Sequence, residues 1–86
     1  MSAQLREAAA AVASRSELAA FVGALAREAQ VSGGGWENSS LESYLEALGA
    51  WVDDLEGFRL NRGEAVESTP SWRLIAEMLL AATVYE

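Results

Sequence analysis

Residues Ser40–Glu56 read SLESYLEALGAWVDDLE, and this stretch decides the fold. At about 100° per residue, Leu41, Tyr44, Leu45, Leu48, Trp51, Val52 and Leu55 fall within one arc of about 120°, the apolar stripe of an amphipathic helix. Ser39 and Glu42 have the spacing of a capping box, in which each side chain accepts a backbone N–H at the helix start. Gly57 stands where a C′ residue belongs, because glycine takes a positive φ at little cost. A helix over about 40–56 is expected.

Upstream, Val31–Gly35 ends in three consecutive glycines and reads as a loop that lets Trp36 fold back on the bundle. Ser14 and Glu17 form a second capping box, starting a helix over 15–30 with Leu18, Phe21, Val22, Leu25 and Ala29 on its apolar face. Leu5, Ala8, Ala9 and Val12 give a further helical period over 2–12. Its alanines bury little area, so residues 1–13 are expected to attach loosely. One long helix running through Ser14 is the competing reading.

Downstream, Phe58–Ser68 has no sustained period and contains the turn signal Asn61-Arg62-Gly63. Thr69 before Pro70 reads as an N-cap followed by proline at the first helical position. The last helix, over 70–85, is apolar nearly all round, interrupted by Arg73, Glu77 and Thr83. Such a helix is central to its bundle or covered by a partner. No segment alternates with period two. The expectation is an all-α single domain, 1–86, a small bundle of three to four helices whose last two form the core.

Gly35-Trp36-Glu37-Asn38, Leu41-Glu42-Ser43-Tyr44-Leu45-Glu46-Ala47, Trp51, Asp54 and Gly57 form a recognisable pattern. Asn61, Gly63, Pro70, Ser71-Trp72, Ala81-Ala82 and Tyr85-Glu86 continue it. Over roughly residues 14–86 the chain resembles an uncharacterised family of small bacterial helical domains, a domain of unknown function. It departs from that pattern at Glu56 and Arg59, where aspartate and an aromatic residue are expected. The resemblance implies bacterial origin and a compact stand-alone domain, and it implies no activity.

Composition excludes more than it suggests. There is no cysteine and no histidine, which removes thiolate and imidazole metal ligands and the usual general base. All 6 cations are arginine, so lysine Schiff-base chemistry and the P-loop lysine are absent. The only Glu-x-x-Glu, Glu64 to Glu67, falls in an expected loop, so the paired turns of helical pyrophosphohydrolases are missing. Asp53-Asp54-Leu55-Glu56 does not fit an EF-hand, because apolar residues occupy ligand positions. No cofactor or metal site is expected, and the chain reads as a non-enzyme. Ala11-Val12-Ala13 resembles a signal-peptidase site, but Arg6 and Glu7 break the apolar stretch before it. Glu77 cuts the C-terminal apolar run, so no membrane span is expected and the cytoplasm is the expected location.

The net charge of −7 is concentrated. Residues 37–57 hold Glu37, Glu42, Glu46, Asp53, Asp54 and Glu56 and no cation. Glu42, Glu46, Asp53 and Glu56 share an arc of about 80°, expected to face solvent opposite the apolar stripe, with Gly49 in its middle. A solvated face is the plain reading. A docking strip made of Glu42, Glu46, Gly49, Asp53 and Glu56 is the sharper one, and a basic partner would fit it. Trp51 is expected in the core, Trp72 at the core end or lining a groove, and Glu37 and Asn38 as caps. Asp54 is expected in an ion pair or an indole hydrogen bond. On the last helix, Leu80 and Val84 fall on the side of Arg73 and Glu77, the side expected to be wet. A two-fold mate of a homodimer is the favoured cover, with intramolecular cover by the first helix and plain exposure as alternatives.

These readings favour a non-catalytic adaptor or regulatory module that binds another bacterial protein. An inhibitor or immunity-type protein neutralising a basic enzyme or toxin is the narrower alternative. A small-ligand or Mg-dependent enzyme is the remote one. Dispersed arginines speak against nucleic acid.

Overall fold

The computed structural model describes residues 3–30, 35–61, 63 and 69–85; the side chains of Glu56 and of residues 58–61 lie outside that description. The helices are α1 (Ala3–Ala10), α2 (Arg15–Gln30), α3 (Leu41–Asn61) and α4 (Trp72–Ala81). No strand occurs among the described residues. The fold is all-α, and α4 is its centre: α1, α2 and α3 each pack against it, and α1 also touches α2.

Leu5, Ala9, Val12, Phe21, Leu25, Ala76 and Leu80 form the core, with Leu18, Ala24, Trp36 and Leu79 packed against it. The expectation that the last two helices make the core is therefore corrected. The core joins α4 to the first two helices, and the loosely held N-terminal helix proves to be a principal wall of it. Alanine is the physical reason. Ala9 is 1% exposed and Ala76 0%, and both belong to the buried cluster that α1 and α4 share; small side chains in a helix–helix contact let the two axes approach closely. The small apolar area of alanine, which argued for weak attachment, is what permits the tight contact.

Helix boundaries follow hydrogen-bond satisfaction. Ser14 caps α2, its Oγ accepting the Glu17 N–H at 3.2 Å, while a Glu17 carboxylate oxygen accepts the Ala13 N–H at 2.9 Å. The chain breaks between α1 and α2, and the single long helix does not form. On α2, Phe21 and Leu25 are buried, whereas Val22 is 44% exposed. For α3 the cap is Ser40 rather than Ser39: Ser40 Oγ accepts the Ser43 N–H at 3.0 Å. For α4 it is Ser71 rather than Thr69, its Oγ accepting the Leu74 N–H at 3.0 Å. That helix begins at Trp72, so Pro70 precedes it.

The ends of α3 and α4 also differ from expectation. α3 runs through Gly57 to Asn61. The left-handed backbone that would end a helix there is absent from Gly57 and found at Gly63, with φ 73°. α4 stops at Ala81 instead of continuing to Tyr85. Thr83 N–H and Val84 N–H turn back to the Leu80 and Ala81 carbonyls, both at 3.1 Å. Thr83, expected as a polar interruption, is 1% exposed, and its hydroxyl donates to the Leu80 carbonyl at 2.7 Å.

Candidate functional site

The approach to α3 holds the end of α4. Gly35 carries φ 67°, a conformation that β-carbon sterics disfavour in other residues. It delivers Trp36 to the core surface, where the indole stacks on Tyr44 with ring centroids 5.8 Å apart. Asn38 does not cap its own helix. Its Nδ2 donates to the Ala82 carbonyl at 2.9 Å and the Tyr85 carbonyl at 2.8 Å, and its backbone N–H donates to the Thr83 carbonyl at 3.0 Å. Tyr44 Oη donates to the Leu79 carbonyl at 2.7 Å, and burial pushes its pKa up. Carbonyls freed where α4 stops are thus satisfied from α3 and its entry loop. Farther along, the Tyr85 hydroxyl donates to Asp54, so this carboxylate pairs with a phenol rather than with an arginine or an indole. That bond, then burial and the Asp54 charge, raises the Tyr85 pKa.

This clamp sets the roll of α3. Ala47 is buried, and Tyr44, Leu48, Trp51 and Leu55 are half-buried, so Trp51 is at the core margin rather than inside it. The other edge of the apolar arc is out in solvent: Leu41 is 75% exposed, Leu45 52% and Val52 48%. Glu42, Glu46, Gly49 and Asp53 are exposed too. The acidic strip does not lie opposite the apolar residues; it borders the three that α4 leaves uncovered. Leu41, Val52 and Leu45 lie within about 40° of one another, and Gly49, Glu42, Asp53 and Glu46 follow over about the next 100°. A Cβ placed at Gly49 would meet no atom within 4 Å. The Glu56 side chain, expected in the same strip, lies outside the described residues. Among the described residues, no group of three or more carboxylates is gathered closely enough to hold a metal ion.

The second expected site changes character. Leu80 is 5% exposed and sits in the core with Leu5, Ala9 and Val12, and Val84 is half-buried. That side of α4 is exposed at Arg73, but α1 packs against α4 and covers it at Leu80. Intramolecular cover, rather than a two-fold mate, accounts for Leu80. Trp72 is 42% exposed and lines an open cleft of about 550 Å³ with Ala10–Ala13, Pro70, Ser71 and Arg73. A smaller cleft of about 350 Å³ between α1 and α2 is lined by alanines, Val12, Phe21 and Glu17. Neither cleft brings together two titratable groups. Among the described residues, no helix is long and apolar enough to cross a membrane.

Over residues 14–86 the chain matches the family of unknown function DUF7660. It belongs to that family. No curated protein and no solved structure matches the chain. The match spans α2, α3 and α4. Several residues that carry the sequence pattern, Trp36, Asn38, Tyr44, Asp54 and Tyr85, are the ones that clamp α3 to the end of α4. A distinctive part of the pattern therefore has a structural explanation.

Proposed function

We propose that the protein is a non-catalytic interaction module that docks a basic partner protein through the outer face of α3. One observation carries this reading: the exposed carboxylates Glu42, Glu46 and Asp53 border a row of exposed apolar side chains, Leu41, Leu45 and Val52. A solvated face that served solubility alone would need the charges and not the apolar row. Clustered charge of one sign speeds encounter with a partner of the other sign, and adjacent apolar area supplies attraction that salt does not screen. Replacing Glu42, Glu46 and Asp53 with Gln, Gln and Asn tests the reading. Partner recovery is expected to drop several-fold while the helical circular dichroism and melting curve are retained, and wild-type recovery is expected to fall as salt rises. Equal recovery by wild type and variant across the salt range overturns it.

A further inference from the structure

Resting on that reading, we infer that the occupant of the α3 face is a cationic amphipathic helix of a partner protein, lying along α3. Its apolar row covers Leu41, Leu45 and Val52, and its arginines or lysines meet Glu42, Glu46 and Asp53. The shape of the surface leads to this occupant. Leu41, Leu45 and Val52 span about 17 Å of α3, three helical turns, within a single narrow row. Matching such a row takes side chains repeating at helical spacing. The described residues offer no strand edge for an extended peptide to join. Charge then restricts the partner. The carboxylates occupy one flank of the row only, because the other flank is where Tyr44, Leu48, Trp51 and Leu55 turn toward α4. The partner helix is therefore cationic along one side of its apolar stripe.

A second copy of this chain fits poorly. An antiparallel two-fold pairing of α3 helices sets the two acidic flanks on the same side, in a chain whose net charge is already −7. An anionic lipid surface is repelled by the same carboxylates.

A synthetic 14-residue peptide of leucine and lysine, with leucines at helical spacing, serves as the probe. Its controls are the same composition in strict alternation, an oligolysine of equal charge, and vesicles containing anionic lipid. Fluorescence anisotropy is expected to show at least tenfold tighter binding of the helical-period peptide than of either peptide control. Leu45→Ser with Val52→Ser is expected to remove that advantage while leaving oligolysine binding and the circular dichroism spectrum unchanged. Equal binding of all three peptides overturns the helix proposal, as does stronger association with the vesicles. A wild-type dimer in sedimentation that the same double substitution splits also overturns it, in favour of a second copy. The two levels fail separately. If the helical advantage is absent but recovery of the natural partner still requires Glu42, Glu46 and Asp53, only the helix assignment falls. If recovery ignores those carboxylates, the interaction reading falls with it.

Discussion

Asn38 shows how one side chain joins two elements. Its amide donates to two carbonyls of the C-terminal turns, and its backbone N–H donates to a third. Asn38→Ala leaves two partly buried acceptors without their donor, a cost of about 2 kcal/mol. In a domain this small that lowers the melting temperature by roughly 10 °C, measurable by thermal circular dichroism. Asn38→Asp is expected to do no better, since a carboxylate offers acceptors where donors are needed. Tyr44 and Tyr85 predict an alkaline limit. Both phenols have pKa values raised above the ordinary 10, so the folded state holds their protons more tightly than the unfolded state. Their contribution is intact below pH 10 and is lost as pH rises through the folded-state values. Urea midpoints are expected to hold from neutrality to about pH 10 and then decline. Tyr44→Phe with Tyr85→Phe is expected to flatten that decline, and an unflattened decline places its cause elsewhere.

At the scale of elements, the course of α3 can be tested through its glycines. Gly49 and Gly57 both lie inside the helix, and an added Cβ at either would meet nothing within 4 Å. Alanine at each is expected to stabilise the protein by up to about 1 kcal/mol, because glycine loses more backbone freedom on forming helix. If Gly57 were the left-handed residue after a helix ending at Glu56, alanine there would destabilise the protein instead. Chemical denaturation of Gly57→Ala thus reads the length of α3 by its sign. The same substitution at Gly63, where φ is 73°, is expected to cost about 1 kcal/mol.

Across the whole molecule, α4 is packed by α1, α2 and α3, and this governs what Leu80 does. Leu80→Ala is expected to cost about 3 kcal/mol through lost burial and a residual cavity. Leu80→Glu is expected to unfold the chain by placing a charge among Leu5, Ala9 and Val12. Sedimentation with circular dichroism checks this. A folded Leu80→Glu monomer arising from a wild-type dimer would restore the surface role that the packing denies. Leu5→Ala is expected to be destabilising in the same range, since α1 is part of the core and not an appendage.

Local periodicity and caps account for much of the fold. The apolar period of α3, the Ser14–Glu17 capping box and the nearly all-apolar α4 are written in residues close together in the chain, and each corresponds to a helix. The Gly35 turn that seats Trp36 was legible for the same reason, as glycine repetition in a loop is a local signal. The proposed docking face was legible only as charge, because Glu42, Glu46 and Asp53 share a helix face whatever packs behind it. Which part of the α3 arc would be covered depended on its roll, and that roll is set by Asn38, Tyr44 and Asp54 reaching residues 31 to 47 positions away. The end of α4 and the burial of Leu80 were likewise decided in three dimensions. A helix stops where distant donors satisfy its carbonyls, and alanines such as Ala9 and Ala76 show their part only once packing buries them. Short-range sterics and hydrogen bonds determined the elements, while long-range donors and the fit of small side chains decided which faces stayed in water.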